Sequence, residues 1–282
     1  MKKGIQQIML GTVTGSEQTA LETLKKIKAA GYDGIELNSF QIHPTSFLVR
    51  VLTKLAGMPT GKGGNYDWKK LVNEAGLSVI SLHYDLGSLK RDPKKAAEEA
   101  KSFGTEWIVI TGMYRFDYTS ETTLQGLCDD LNTVGKALLE EGISLLYHNH
   151  NVEFLKIKGQ DLTAYDYILA NTDPDLVSFE LDTYWPAEAG IDVVRLMEKV
   201  GKRVTLWHVT DRGSRISGQV MTPIIKSDSV ELGCGNMPLE KLLEMAKSLD
   251  VQAAVLETHR NWIEKSPLKS MEISGQWLNE RI

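Results

Sequence analysis

Four segments in the second half of the chain end in imidazole and carboxylate side chains that a buried strand does not need for packing. They read LLYHNHNVEF, VSFELDTYW, VTLWHVTDR and AAVLETHR, each an apolar run followed by His, Asp or Glu. Because side chains alternate along a strand, every second residue in each segment must point to the same side. The residues at matching depth in the four segments are His148, Asp182, His208 and Glu257.

Two imidazoles and two carboxylates form a donor set for one divalent cation. This mixture of nitrogen and oxygen ligands suits Mn, Co, Zn or Fe, whereas calcium prefers oxygen ligands alone. A single histidine at a strand end is commonly a hydrogen-bonded core residue. Four donors at matching depth on consecutive strands instead predict a metal centre.

A repeated unit positions these residues. An amphipathic helical stretch ends in glycine and is followed by a short apolar run, as in KKIKAAGYDGIEL, AKSFGTEWIVI and LLEEGISLLY. Glycine suits the residue that ends a helix in a left-handed conformation, and the apolar run after it is typical of a buried parallel strand. The repeats predict eight strands, near residues 5–10, 34–38, 78–83, 106–111, 143–149, 177–182, 204–209 and 252–257.

Alternating strands and helices imply right-handed crossovers and a parallel sheet with helices outside it. The pattern favours an α/β fold, a (β/α)8 TIM barrel, as one domain over residues 1–282. An open doubly wound sheet is the alternative, but no G-x-G-x-x-G follows the first strand. Active sites of such barrels lie at the carboxyl ends of the strands. The segments 43–66 and 213–229 are long for connections and are expected to cover that end.

Composition excludes several classes of protein. Of the 282 residues, 42% are hydrophobic and 24% charged, which is globular usage and excludes a disordered chain. The formal net charge of -5 disfavours nucleic-acid binding. We expect no membrane partner, because the apolar runs are too short to span a bilayer and the start lacks a signal-peptide pattern. The cysteines, Cys128 and Cys234, do not indicate a disulfide framework, so we expect a cytoplasmic protein.

The segments YHNHNVEF, ELDTYWPAEAG, LWHVTDR and VLETHRNW resemble those of the sugar phosphate isomerase/epimerase family, whose members share a xylose isomerase-like TIM barrel. This group includes inosose dehydratase, ketose 3-epimerases and apurinic endonucleases. The resemblance runs from AGYDGIEL to SMEISGQWL and is strongest between residues 143 and 262.

The resemblance implies one metal held by Glu, Asp, His and Glu from the last four strands. The last three of these match Asp182, His208 and Glu257. The position aligned with the first Glu is His148, and the nearest carboxylate is Glu153, so either of these is the first ligand.

The resemblance also implies proton abstraction next to the carbonyl of a sugar and formation of an enediolate. We assign Glu257 a double role as metal ligand and acid/base, with His150 or Glu153 acting from the opposite face. Aromatic, imidazole and guanidinium side chains near other strand ends are expected to contact a carbohydrate substrate, with or without phosphate. These are His83, Tyr184, Trp185, Arg115 and Arg212.

Three other functions compete with an isomerase or epimerase. A dehydratase acting on a keto-sugar or keto-inositol would share the enediolate step, with His150 protonating the departing hydroxide. A metal-free barrel that binds sugars or serves as a partner subunit stays open, because the first Glu is missing. An endonuclease with several zinc ions is disfavoured by the six histidines and the net charge. Assembly into a homo-oligomer also stays open.

Overall fold

Eight parallel strands form the centre of the structure. The computed structural model describes residues 1–44, 63–216 and 218–282. Its strands are β1 (Lys2–Gln6), β2 (Gly34–Asn38), β3 (Ser78–Tyr84), β4 (Trp107–Ile110), β5 (Ser144–His148), β6 (Val177–Asp182), β7 (Val204–Val209), β8 (Asp211–Gly213), β9 (Asp228–Val230) and β10 (Ala253–Leu256). All except β8 and β9 form a closed barrel in the order β1-β10-β7-β6-β5-β4-β3-β2. The predicted (β/α)8 TIM barrel is confirmed.

Helices follow the strands along the chain. They are α1 (Glu17–Ala29), α2 (Ser39–Ile42), α3 (Trp68–Glu74), α4 (Leu86–Arg91), α5 (Pro93–Phe103), α6 (Glu121–Glu140), α7 (Ala164–Asn171), α8 (Tyr184–Glu188), α9 (Val193–Val200), α10 (Leu239–Ser248) and α11 (Pro267–Asn279). Local sequence signals set their ends. The Asp92 side chain accepts the backbone N–H of Lys95 at the start of α5, and Gly104 ends that helix at a φ of 74°. In the part of the chain that the structure describes, no helix is both long and apolar enough to cross a membrane.

The chain divides into two compact units. Unit 1 consists of Met1–Ser78, His208–Leu243 and Ala254–Ile282, and unit 2 of Val79–Trp207 and Glu244–Ala253. In unit 1, β1 and β2 pair in parallel and the Tyr32 hydroxyl donates to the carbonyl of Met271. In unit 2, β3 to β6 pair in parallel. The single domain over residues 1–282 stays a prediction.

The first strand lies earlier than predicted. It covers Lys2–Gln6 instead of 5–10, and a 3-10 helix, Gln7–Leu10, follows it. The reason is local, because the Gln6 side chain accepts the backbone N–H of Ile8 at 2.8 Å and starts the turn. Sequence periodicity does not reveal such a turn, because Ile8, Met9 and Leu10 are apolar and buried as strand residues would be.

The long loop predicted after β7 is flanked by two short strands, β8 and β9, that form a small hairpin. β8 and β9 pair antiparallel, with Gly213 opposite Asp228. The Asp211 carboxylate accepts the backbone N–H groups of Gly233 and Gly235 at 3.0 and 2.9 Å, and that of Met237 at 3.0 Å. Both ends of the loop are thereby fixed in unit 1. Most of the other predicted loop, residues 43–66, lies outside the described residues.

Two glycines of helix α6 provide a matched test of the packing in unit 2. A Cβ at Gly135 would lie 2.4 Å from the carbonyl oxygen of Leu176, whereas a Cβ at Gly126 meets nothing within 4 Å. We expect Gly135→Ala to destabilise the protein by about 1–3 kcal/mol through overpacking. Gly126→Ala is expected to stabilise it by about 0.5–1 kcal/mol, because alanine loses less backbone entropy in a helix. Urea unfolding of both variants measures the two effects, and equal midpoints would contradict this packing.

Candidate metal centre

His208 lies between two carboxylates within unit 1. Its Nε2 is 2.7 Å from Oε2 of Glu36, and its Nδ1 is 2.9 Å from Oε2 of Glu257. Glu36 is the third of the five residues of β2, His208 is the fifth residue of β7, and Glu257 directly follows β10. Glu36 and His208 are 0% exposed and Glu257 is 6% exposed. This Glu–His–Glu row is held by strand ends and excluded from solvent.

The Glu257 carboxyl is held in its charged form. Burial by itself would raise its pKa, but the imidazoles of His259 and His208 together lower the pKa well below the usual range. His259 Nε2 lies 3.4 Å from Oε2 of Glu257. An ionised carboxylate is the form that ligates a cation or accepts a proton.

A second arrangement of buried groups lies within unit 2, where two imidazoles share one carboxylate. Glu180 Oε2 is 3.2 Å from both His83 Nε2 and His148 Nδ1. Glu180 is fully buried on β6, two residues before Asp182. No role was predicted for Glu180 from the sequence. The signal that would have found it is parity, since residues two apart on a strand point to the same side.

Asp182 also organises the chain that follows β6. Its Oδ1 accepts the backbone N–H groups of Tyr184 and Trp185 at 2.7 and 3.0 Å. These contacts start the short helix α8, which carries both aromatic residues. Asp182 therefore has a structural role in addition to the ligand role predicted for it.

Glu153 belongs to a buried hydrogen-bond network in unit 2. The Tyr147 hydroxyl donates to its Oε1 at 3.0 Å and the backbone N–H of His150 to its Oε2 at 2.9 Å. Burial raises the pKa of Glu153, and the hydrogen bonds lower it only in part. A Cβ at Gly112 would lie 3.0 Å from Glu153 Oε1 and 3.3 Å from His150 Nδ1, so the absence of a side chain there leaves room for the pair. These groups form an acid/base cluster beside β5.

Among the residues that the structure describes, two groups of four side chains offer atoms for a metal ion. One consists of His148, Asp182, His208 and Glu257, and the other of Glu36, His83, Glu180 and His208. In each group the ligand atoms lie within 4.8 Å of one another and all four residues are buried. Ligands of one ion with bonds of about 2 Å lie at most about 4 Å apart, so the separations in both groups are close to those of one coordination shell.

The chemistry of the first group fits a divalent cation. Its two carboxylates would neutralise the two positive charges, and its imidazoles are ligands of the transition metals and zinc. Buried carboxylates are costly unless a cation or hydrogen bonds compensate them. This group is the set expected from the sequence, with His148 in the first position. Glu153 does not belong to either group.

The residues expected to contact substrate lie in different surroundings. His83 is buried beside Glu180, and Tyr184 is 2% exposed. The Trp185 ring is partly buried, with its centroid 5.9 Å from that of His150. Arg115 is exposed at a φ of 53°, and Arg212 is half-buried. Their roles in binding substrate stay predictions.

Four buried side-chain amides form a hydrogen-bond network at the ends of β1 and β2. Asn38 Nδ2 donates to Gln6 Oε1 at 2.8 Å and to Gln41 Oε1 at 2.9 Å. The backbone N–H of Asn38 donates to Gln7 Oε1 at 2.8 Å. This network fixes the end of β2, which lies two residues after Glu36. Single amides in a strand pattern carry no signal of such a network.

Comparison with known proteins identifies the family. The sequence model of the xylose isomerase-like TIM barrel matches residues 24–281, which is most of the chain. The chain belongs to the xylose isomerase-like TIM barrel family. The resemblance inferred from the strand-end motifs is thereby confirmed.

Within the xylose isomerase-like TIM barrel family, the chain is similar to dehydratases and to isomerases. It is 28% identical over 227 residues to an inosose dehydratase of Halalkalibacterium halodurans, a match that covers 75% of this chain. The match spans 66% of the length of that dehydratase. A sugar phosphate isomerase/epimerase of Parabacteroides distasonis has a TM-score of 0.77 at 23% identity, covering 98% of this chain and 93% of that one.

One further structure of this fold is described with a bound metal. The IolI protein with a bound zinc atom has a TM-score of 0.68 at 14% identity, covering 99% of this chain and 97% of that one. At this level of identity the likeness shows the fold alone. The zinc belongs to that protein, and the case for a metal in this chain depends on its own donor atoms.

Proposed function

We propose that this member of the xylose isomerase-like TIM barrel family is a divalent-metal-dependent isomerase or epimerase. Its substrate would be a sugar or sugar phosphate with a carbonyl group. The observation that carries the proposal is the first group of buried donors, His148, Asp182, His208 and Glu257, whose ligand atoms lie within 4.8 Å of one another. Mn, Co, Zn or Fe suits this donor set.

A bound divalent cation would polarise the carbonyl oxygen of the substrate and so acidify the adjacent C–H bond. The chain itself supplies the base. Glu257 is the first choice, because burial raises its pKa but the imidazole of His259 beside it lowers it, and the bound cation would favour the ionised form as well. Its carboxylate takes the proton from carbon, the electrons of the C–H bond form the C=C bond of the enediolate, and the π electrons of the C=O bond move onto the carbonyl oxygen.

Return of the proton completes the reaction. Delivery to the neighbouring carbon isomerises the sugar, and delivery to the opposite face of the same carbon epimerises it. The acid on the opposite face would be Glu153 or His150. Burial raises the pKa of Glu153, which favours a carboxyl that carries a proton to donate.

Binding of the carbohydrate would use the remaining side chains expected from the sequence. Aromatic faces such as those of Tyr184 and Trp185 stack on sugar C–H surfaces, His83 would bond a hydroxyl, and the guanidinium groups of Arg115 or Arg212 would bind a phosphate. The proposal includes a cytoplasmic location and a small-molecule substrate, with no nucleic acid or membrane as partner. Assembly into a homo-oligomer stays open.

A dehydratase acting on a keto-inositol is the second candidate, and a specific observation favours it. Several similar proteins are inosose dehydratases, at 28% identity over 227 residues and at 33% identity over 94 residues. The same proton abstraction would be followed by loss of a β-hydroxyl, which His150 would protonate as it leaves. A metal-free barrel that binds sugars or serves as a partner subunit is the alternative outside enzymes.

The experiment that tests the proposal uses the full chain, stripped by chelator and reloaded separately with Mn, Co, Zn or Fe. Ketoses, ketose phosphates and a keto-inositol are then incubated with it in deuterated water. Solvent deuterium in the product without loss of water supports an isomerase or epimerase, whereas loss of water supports the dehydratase. Binding of less than about a tenth of an equivalent of every metal would overturn the metal-dependent proposal.

A further inference from the structure

The side chain of Glu36 lies against His208 on the ring edge opposite Glu257. Within unit 1, Glu36 Oε2 is 2.7 Å from Nε2 of His208, and Glu257 Oε2 is 2.9 Å from Nδ1. The short contact with a fully buried carboxylate raises the question of which nitrogen of His208 would bind a cation.

A neutral imidazole has one N–H and one lone pair, so it offers one nitrogen to a cation. The two candidate ligand groups both include His208 and therefore compete for that lone pair. A carboxylate accepts hydrogen bonds and donates none, so a nitrogen that faces a carboxylate outside the coordination shell is best protonated. The partner of the non-ligating nitrogen thus sets the tautomer of the ring.

We infer that Glu36 is a positioning residue that accepts the Nε2–H of His208 and so fixes Nδ1 as the ligand nitrogen. The lone pair of His208 then points to the side of Glu257. The cation is taken by the first group, and Glu36 stays outside its coordination shell. The inference rests on the proposed function, because it assumes that His208 is a metal ligand.

The surroundings of Glu36 favour this role. All five residues of β2 are buried, and Glu36 pairs in register with Gln6 of β1. The amide network of Gln6, Asn38 and Gln41 fixes the end of the same strand. A hydrogen bond to an ionised group is stronger than one between neutral groups, and exclusion of water strengthens it further. Glu36 can therefore hold the ring of His208 in one orientation.

The test uses zinc alone as the probe and two variants of Glu36. Glu36→Met removes the acceptor at similar length, whereas Glu36→Gln keeps a carbonyl oxygen that still accepts the Nε2–H. We expect Glu36→Met to weaken zinc binding by about 10- to 100-fold and Glu36→Gln by less, as measured by chelator competition. Glu140→Gln, on the exposed face of α6, is the control and should bind zinc as the wild type does.

The second readout is the tautomer of His208 in 15N-histidine NMR spectra of the zinc-loaded protein. We expect a protonated Nε2 and a zinc-shifted Nδ1 in the wild type and in Glu36→Gln, and loss of this pattern in Glu36→Met. A wild-type spectrum with zinc on Nε2 overturns the inference even if the Met variant fails to fold. The inference is also overturned if Glu36→Met leaves both the zinc affinity and the tautomer of His208 unchanged. Failure of the wild type to bind zinc instead overturns the proposed function and with it the inference.

Discussion

Replacing Glu257 with glutamine is expected to lower kcat by about 10²- to 10⁴-fold. Glutamine has nearly the same shape, but its amide does not accept a proton from carbon at neutral pH. The effect is large because the native group is ionised, with the imidazoles of His259 and His208 lowering its pKa. Turnover is measured with the substrate found in the deuterium experiment, together with bound metal by elemental analysis.

The control for Glu257→Gln is Glu140→Gln, an exposed carboxylate on α6 that takes no part in either ligand group. Weaker metal binding would lower the rate by itself, even if Glu257 took no part in proton transfer. The rate is therefore compared at saturating metal. Wild-type turnover in Glu257→Gln under that condition would remove Glu257 from its role as acid/base.

Changes at His148 and Glu153 are expected to separate the metal ligand from the second acid/base group. His148→Ala removes one of four ligands and should reduce bound metal from one equivalent to less than about a tenth, and turnover with it. Glu153→Gln should keep the metal and lower kcat by about 10²- to 10⁴-fold. The difference follows from the structure, in which His148 belongs to a four-donor group and Glu153 is bonded to Tyr147 and His150.

Metal analysis and turnover of both variants decide the assignment. Loss of metal in Glu153→Gln with retention in His148→Ala would reverse it and make Glu153 the first ligand. Such a result would agree with the ligand order that the family resemblance implies. Gln160→Ala, an exposed change in the connection after β5, is the control for metal or activity lost during purification.

Much of the fold followed from the sequence because its signals are local. Glycines that end helices and the apolar runs after them mark each repeat, and seven of the eight predicted strands agree with the observed ones to within one residue at each end. The first strand was placed too late because the turn after Gln6 is built from a side-chain hydrogen bond within an apolar run. Periodicity does not detect that kind of contact.

The candidate site could be predicted only in part. His148, Asp182, His208 and Glu257 were recognisable because each stands at the end of an apolar run. Glu36 could not be paired with His208 from the sequence, because 172 residues separate them. β2 comes near β7 and β10 only when the barrel closes. Glu180 was missed for a different reason, because Asp182 on the same face of β6 offered the more familiar ligand.

The hairpin at the base of the loop between β8 and β9 has a consequence for engineering. The paired strands and the contacts of Asp211 with Gly233, Gly235 and Met237 tie down both stems independently of what lies between them. Residues 218–227 can therefore be exchanged for segments of other lengths while the stems stay in place, provided that Arg215, which pairs with the buried Glu231, is kept. A library grafted there would vary this surface of the chain without changing the strands of the barrel.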